Sequence, residues 1–262
     1  MSKNNRLDRI IEIVTTQGYV KNSDLTENLK VSEMTIRRDL KTLEEQGRLQ
    51  RVDGWAITAL NAAPLENTFS QRLYKNIEEK ILIAKTASKM ISKGDKIILD
   101  ASSTVFYLSK IIKNLKGLTI ITNSVPTLYE FASSSGLYVI AIGGELRETT
   151  ADLVGPNTIT NLKEFKADKL FLSTLALNFE DGLMDPHWST ADVKKAMISI
   201  SKERILLVDH TKFGTQATVK FGAISEITKV ITDSKTDKSY IKELQNAGIE
   251  VIVCSEDMNR PI

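Results

Sequence analysis

The chain has 262 residues, 42% of them hydrophobic and 26% charged, the balance of a globular protein with a core of its own. Its net charge of +2 gives no bulk attraction to nucleic acid. The single cysteine, Cys254, excludes an internal disulfide framework and a cysteine-rich zinc site. No apolar run nears the length of about 18 residues that suggests a membrane span, and the polar start MSKNNRLDRI lacks the apolar stretch of a secretory signal. A soluble cytoplasmic protein with no cofactor and no metal is expected.

Residues 1–58 predict three short helices and a hairpin. Leu7, Ile10, Ile11 and Val14 fall at i, i+3, i+4 and i+7, the stripe of an amphipathic helix that Gly18 closes. A second helix starts near Ser23, with Leu25 and Leu29 four apart. Ser32 is a good N-cap for a third, and Glu33 suits the positive end of its dipole. Ile36, Leu40 and Leu43 give that helix one inward face, and Gly47 stops it. Asp53-Gly54, between Leu49–Val52 and Trp55–Ile57, is a two-residue hairpin signal. Three helices and a hairpin make a winged helix-turn-helix.

Residues 59–77 show little periodicity and read as a linker. From residue 78 to 262 short apolar runs alternate with helical stretches. The runs are IILD at 97–100, LTIIT at 118–122, YVIAI at 138–142, KLFLS at 169–173, ILLVD at 205–209, KVIT at 229–232 and IEVIV at 249–253. Helices are expected at Val105–Leu115, Thr127–Ala132, Ala191–Ile200 and Tyr240–Ala247. Apolar strands separated by helices predict an α/β, Rossmann-like domain whose mostly parallel sheet is covered on both faces.

Two constellations carry chemistry. On the third helix, steps of about 100° per residue set Met34, Arg38, Lys41 and Glu45 opposite the inward face, flanked by Thr35 and Arg37. Ser32, Met34, Thr35, Arg37, Arg38 and Lys41 suit a major groove, because arginine pairs with guanine edges and with phosphates. Arg48 and Arg51 flank the hairpin, where they can hold the DNA backbone. Through Ile57 ten Lys and Arg face nine Asp and Glu, so placement rather than net charge favours DNA.

The second constellation lies at the predicted strand ends. Asp100, Ser102, Ser103 and Thr104 follow one strand and open a helix, offering hydroxyls and free N–H groups to an anion. Serine and threonine are also ordinary helix caps there. Thr122, Asn123 and Ser124 end the next strand, Gly143 and Gly144 the third, and Arg147 and Lys212 add cations. Ligands of open α/β sheets bind where such loops converge.

VSEMTIRRDLKTLEEQGRLQRVDGWA, from Val31 to Ala56, closely resembles the helix-turn-helix and wing of the DeoR family of sugar-metabolism regulators. The wing of that family usually reads His-Gly-Gly-Ala, where this chain has Asp53-Gly54-Trp55-Ala56. TNS at 122–124, GGELR at 143–147, VGP at 154–156, TKFG at 211–214 and ITD at 231–233 extend the resemblance through the second domain, which in the family resembles sugar-phosphate isomerases and binds phosphorylated sugars. The phosphate loop keeps Asp100, Ser103 and Thr104 but has Ser102 where glycine is common. Where many members carry Ala-Asp-Gly after a serine, Ser173 precedes Thr174-Leu175-Ala176, so a carboxylate suited to sugar hydroxyls is missing at that point. The resemblance implies a repressor of sugar-metabolism genes that binds double-stranded operator DNA as a homo-oligomer (dimer or tetramer) and is relieved by a phosphorylated sugar.

His187 and His210 are expected to be structural or surface residues, and Asp152, Asp181 and Asp185 to shape loops. Two rival readings remain. A sugar-phosphate isomerase with an accessory head would use Asp209 or Asp100 as base beside Lys212. A protein-interaction module would not bind DNA.

Overall fold

The computed structural model of the chain describes residues 3–17, 19–52, 54–58 and 69–254. Gly18, Asp53, residues 59–68 of the expected linker and residues 255–262 lie outside the described residues. The chain divides into two compact units, residues 1–66 and 67–262.

In the first unit α1 (Lys3–Gln17) buries Leu7, Ile10 and Val14, the stripe its spacing predicts. A short strand, β1 (Tyr19–Lys21), then leads into α2 (Asn22–Leu29) and α3 (Glu33–Glu45). Ser32 caps α3, its Oγ accepting from the Thr35 amide at 3.3 Å. Gly47 ends it with φ +68°, a left-handed conformation that lets the Arg48 and Gly47 amides reach the Leu43 and Glu44 carbonyls, both at 2.9 Å. β2 (Leu49–Val52) and β3 (Trp55–Thr58) pair antiparallel with Val52 opposite Trp55. The sequence offered no sign of β1, whose three residues are too few to display alternation; it pairs with β3 and makes the wing three-stranded. Leu25, Ile36, Leu40, Leu43, Leu49 and Ala56 close the core. Asp39, also buried on α3, receives the Arg6 guanidinium at 2.5 and 3.2 Å, tying α1 to α3.

The second unit begins with α4 (Phe69–Tyr74) and α5 (Ile77–Ser88). Here the expected linker through residue 77 is corrected. Phe69, Leu73, Tyr74 and Ile77 are buried, so the last part of that stretch is core rather than connection, in a helix too short to show a clear period. There follow β4 (Lys96–Leu99), α6 (Ser103–Ile112), β5 (Leu118–Thr122), α7 (Val125–Phe131) and β6 (Leu137–Ala141). The hairpin β7 (Glu145–Arg147) and β8 (Asp152–Val154) precedes α8 (Pro156–Lys163) and β9 (Ala167–Leu172). β10 (Ala176–Asn178), β11 (Gly182–Asp185), α9 (Trp188–Ser199) and β12 (Ser201–Leu207) come next. β13 (Val219–Gly222), β14 (Lys229–Asp233), α10 (Lys238–Asn246) and β15 (Glu250–Cys254) complete the described residues.

Seven of these strands form one sheet in the order β15-β14-β12-β9-β4-β5-β6, each neighbouring pair parallel. Ile98, Leu170, Leu172, Leu206 and Val230 pack into one cluster with Leu162 of α8, Val193 and Met197 of α9 and Leu244 of α10. The alternate residues Ile97, Leu99, Phe171, Ile205, Leu207 and Ile231 are buried too, as a sheet covered on both faces requires. β10, β11 and β13 form a small antiparallel sheet. The chain runs outward from β4 through β5 and β6, then returns to place β9 on the other side of β4. The loops after β4 and β9 therefore diverge, the point where open α/β sheets bind ligands.

The buried ion pair in the first unit gives a direct test. Asp39→Ala leaves Arg6 without its partner, at a cost of about 1–3 kcal/mol. Amide exchange in α1 and α3 should accelerate while that of the seven-stranded sheet keeps its parent rates. Equal exchange in the variant and the parent would show that the pair does not hold the two helices.

Candidate functional site

The exposed face of α3 presents Ser32, Met34, Arg37, Arg38 and Lys41, with Thr35 half-buried beside them. Ser32 and Thr35 share a hydroxyl hydrogen bond of 2.9 Å at the start of the helix. Arg37 pairs with Glu33 at 2.7 Å and Lys41 with Glu45 at 3.8 Å along the helix, while Arg48 meets Asp8 at 3.3 Å and Arg51 meets Glu44 at 2.8 Å. Exposed pairs of this kind contribute about 0–1 kcal/mol, so each cation can exchange its carboxylate for a phosphate at little cost. Arg38 makes no ion pair among the described residues. Met34 is 72% exposed, an apolar side chain at the same helix start.

In the second unit the ends of β4, β9 and β11 meet under α9. Lys194, buried on α9, donates to the Ser173 carbonyl at 2.7 Å and lies 2.6 Å from Asp185 Oδ2 and 3.5 Å from Asp100 Oδ2. Burial opposes its charge, but Asp185 and Asp100 outweigh that and raise its pKa. Asp100 also accepts from the Ser102 and Ser173 amides at 2.9 and 3.0 Å, and Asp185 accepts from the Leu175 amide at 3.1 Å.

Around this node lie two adjoining compartments that share Arg72, Ser102, Leu175, Asp185 and Lys194. The first encloses about 590 Å³, counting space open to solvent, and adds Asp100, Asn123, Arg147, Thr150, Asp152 and Thr190 to its walls. Its formal charges balance: Arg72, Arg147 and Lys194 against Asp100, Asp152 and Asp185. Thr190 donates to Asp152 at 3.1 Å and accepts from Arg147. The second encloses about 460 Å³ at the N-terminus of α6 and adds Lys75, Asn76, Lys80, Ser103, Thr104, Ser173, Thr174, Asp209 and Lys212. Five basic residues (Arg72, Lys75, Lys80, Lys194, Lys212) face two acidic ones there, Asp185 and Asp209. Ser102 caps α6 by accepting from the Val105 amide at 3.3 Å, so the Ser103 and Thr104 amides are those a first helical turn leaves without an intrahelical acceptor.

Burial dominates the electrostatics of this second compartment. It drives the Lys80 ammonium down to about 7, with Asp209 pulling the other way and Lys212, Arg72 and Lys75 adding to the fall. It also lowers Lys212, against the pull of Asp209. Asp209 itself is pushed up by burial but held below its ordinary value by Lys212 and the Thr211 hydroxyl. Arg72 is lowered by burial, opposed by Asp185, Asp152 and Asp100.

Of the residues the sequence singled out, Asp100, Ser102, Ser103, Thr104, Asn123, Arg147 and Lys212 line the cavity. Four do not, and their geometry gives them framework roles. Thr122 donates to the Leu99 carbonyl at 2.7 Å and accepts from the Ser124 amide, while Ser124 caps α7. The Gly143 carbonyl accepts from Thr158 at 2.8 Å. A Cβ at Gly144 (φ +157°) would sit 1.9 Å from Thr158 Oγ1 and 2.5 Å from the Val154 carbonyl oxygen, so close approach to α8 requires glycine. The reading of Asp152 and Asp185 as loop formers is incomplete, since both are buried cavity walls. Arg72, Lys75, Lys80, Thr190 and Lys194 were missed. Lys80 and Lys194 carried a signal: Ile77, Ile83, Ala84 and Ala87 surround the one, Ala191, Val193 and Met197 the other, so each lysine sits on its helix's buried face. Among the described residues no cluster of His, Cys, Asp and Glu could hold a metal, and no helix is long and apolar enough to cross a membrane.

A winged helix-turn-helix joined in one chain to an α/β unit with a polar cavity at its switch point defines a DNA-binding regulator of the ligand-sensing kind. The chain belongs to the DeoR family: residues 6–59 match the DeoR-like helix-turn-helix domain and residues 75–234 the DeoR C terminal sensor domain. It is 35% identical over 246 residues to the HTH-type transcriptional regulator YulB of Bacillus subtilis (strain 168), covering 94% of this chain and 95% of that one. The glycerol-3-phosphate regulon repressor of Escherichia coli (strain K12) is 31% identical over 254 residues, 97% of this chain and 100% of the other. The lactose phosphotransferase system repressor of Staphylococcus aureus (strain NCTC 8325 / PS 47) is 33% identical over 251 residues, 92% and 99%. These relatives are transcriptional regulators rather than enzymes, and the chain is one as well. A ribose 5-phosphate isomerase A from Methanocaldococcus jannaschii aligns over 53% of this chain and 55% of its own with a TM-score of 0.40 and 17% identity, too distant a likeness to bear on chemistry.

The Lys80 ammonium generates a prediction whose sign is fixed. In the unfolded chain it stays charged up to its ordinary 10.5, in the fold only below about 7. Between those values the unfolded chain holds the extra proton, so the contribution of this site to stability rises with pH across that window and is least favourable below it. Lys80→Met should therefore stabilise the ligand-free protein at pH 6, on the order of 1 kcal/mol or more. The advantage should shrink as pH climbs from 7 towards 10.5, read by urea unfolding at each pH. A variant less stable than the parent at pH 6 would contradict the assignment.

Proposed function

We propose that the protein is a cytoplasmic repressor of sugar-metabolism genes that binds operator DNA through α3 and the β2–β3 wing and is released by a phosphorylated sugar held in the cavity. The observation that carries this reading is the division of charge between the two compartments. A dianionic phosphate suits the cationic compartment, where Ser102, Ser103 and Thr104 supply hydroxyls and first-turn amides and Lys212 supplies charge. A neutral, hydroxyl-bearing body suits the balanced compartment, where Asp100, Asn123, Arg147, Asp152 and Asp185 offer both acceptors and donors. The names of two relatives, repressors of a glycerol-3-phosphate regulon and of a lactose phosphotransferase system, point to the same ligand class. On the DNA side Ser32, Met34, Thr35, Arg37, Arg38 and Lys41 face the major groove, with Arg38 reading a base and Arg48 and Arg51 on phosphates. A homo-oligomer, dimer or tetramer, presents two such faces to paired half-sites.

Two measurements test this. A duplex selected from random sequence by the full chain is titrated with parent and Arg38→Ala protein. A base contact should cost about 1–3 kcal/mol and relax one position, whereas a uniform loss over all sequences with a smaller salt slope would make Arg38 a phosphate contact. The same duplex is then titrated with pentose, hexose and glycerol monophosphates present. At least one should weaken parent binding, and at the concentration that half-releases the parent Thr104→Val and Lys212→Met should stay on the duplex. If no monophosphate alters the DNA affinity of the parent, the sensing half of the proposal fails.

A further inference from the structure

Arg72 stands out among the cavity residues by its place in the chain. It lines both compartments, yet it lies on α4, the first helix of the second unit and the first described element after the wing. Its Nε and Nη2 are shut off from solvent and have no hydrogen-bond partner among the described residues. A guanidinium sealed from water with open donors is costly, and a ligand oxygen in either compartment would relieve that cost. The anchors of α4 run to the cavity walls as well. The Phe69 amide donates at 2.7 Å to the Thr149 carbonyl, beside the wall residue Thr150. Tyr107 of α6 donates to the Leu73 carbonyl at 3.1 Å, and Lys80 donates to the carbonyl of Arg72 itself.

Resting on the reading of the cavity as a phosphorylated-sugar site, we propose that Arg72 binds the effector directly and is the residue through which occupancy of the cavity is passed to the DNA-binding head. The ligand completes the hydrogen bonding of Arg72 in one seating of α4 and not in another. That difference in affinity is the only source from which a ligand can shift a conformational equilibrium. Because α4 leads in sequence to the head, its seating is the quantity the ligand sets. The other cavity residues bind; Arg72 binds and couples.

The test uses the full chain, a duplex selected by it from random DNA, and glucose 6-phosphate, fructose 6-phosphate, ribose 5-phosphate and glycerol 3-phosphate as probes. For parent, Arg72→Gln, Arg72→Lys and Thr104→Val, calorimetry gives the affinity for the probe that the parent binds tightest. The DNA affinity is then measured without that probe and at saturation, and the ratio of the two is the coupling. Thr104→Val should lose affinity for the probe but, once saturated, recover the parent's coupling. Arg72→Gln should lose about tenfold or more in affinity and, even when saturated, show a ratio near one; Arg72→Lys should restore part of both. Saturating probe should slow amide exchange across Phe69–Tyr74 in the parent and in Thr104→Val, and leave it unchanged in Arg72→Gln. If Arg72→Gln does not fold, Arg72→Lys carries the same comparison, with intermediate coupling expected. Full coupling in the saturated Arg72 variant, or unaltered affinity for the probe, overturns the inference and leaves the sugar-phosphate reading intact. A parent ratio of one with every probe overturns both.

Discussion

Lys194 is the interaction on which the sensing unit is built. Its ammonium meets the carbonyl of Ser173, the carboxylate of Asp185 and, at longer range, that of Asp100. These belong to the ends of three strands in two sheets. A lone buried ammonium is costly, and removing a partner from such a group costs more than the group contributes when satisfied. The arrangement therefore enforces itself: the loops after β4, β9 and β11 stay where the lysine holds them. Since the return of the chain from β6 to β9 has already opened a crevice at that point, the clamp gives the crevice fixed walls. Lys194 and Asp185 of this clamp stand on the boundary that the two compartments share, so the device that holds the site also divides it.

The division has consequences for selectivity. The compartment at the start of α6 has more cations than carboxylates, and burial has pushed Lys80 to the edge of neutrality and lowered Lys212. A dianion entering it favours the charged form of Lys80 and offsets the crowding of the cations, so part of the binding free energy comes from relieving strain already present. The balanced compartment offers no such reward to a second anion. It does contain an open acceptor in Asn123 Oδ1, and the adjoining compartment one in Asp209 Oδ2. Polar groups left without partners penalise a ligand that cannot supply them, so a ligand bringing a hydroxyl donor to Asn123 is favoured over one that leaves that oxygen unmet.

Elements with a continuous apolar run or a helical stripe were legible. All seven strands of the parallel sheet and the helices α6, α7, α9 and α10 follow from apolar runs and spacing, because burial on both faces of a parallel sheet leaves a continuous apolar signature. α5 went unread, and its buried face includes the lysine of the site, so the residue that obscured the pattern is the one with chemistry. α4 spans six residues and β1, β7, β8, β10, β11 and β13 three or four; lacking the continuous apolar run of the sheet strands, they owe their form to tertiary partners. The loops at strand ends located the cavity, but loops contain scaffold and site alike. Gly144 and Thr122 are there for close approach and turn geometry, Ser103 and Lys212 for the wall. The helical contributors, Arg72, Lys80 and Lys194, could be separated from surface charge only by noticing that two of them interrupt an apolar face. The carboxylate missing after Ser173 illustrates the limit of motif reading: Leu175 occupies that position, and the Asp185 carboxylate accepts the hydrogen bond of its amide.

The head and the sensing unit use charge in opposite ways, and the difference suits their tasks. On α3 and the wing, Arg37, Lys41, Arg48 and Arg51 rest on exposed carboxylates in water, where such pairs are weak and screened. Exchanging those partners for phosphates costs little, so a domain of nearly zero net charge can still present a usable face to DNA, with Arg38 exposed beside them. In the cavity the cations are desolvated, and each unpaired or crowded group raises the free energy of the empty state. Weak pairing lets the cations of the head change partners at little cost, whereas desolvated crowding in the cavity rewards a ligand that completes its hydrogen bonds and charges. A regulator needs both properties in one chain, and the small helix bearing Arg72 lies, in sequence, between the surface that has the first and the cavity that has the second.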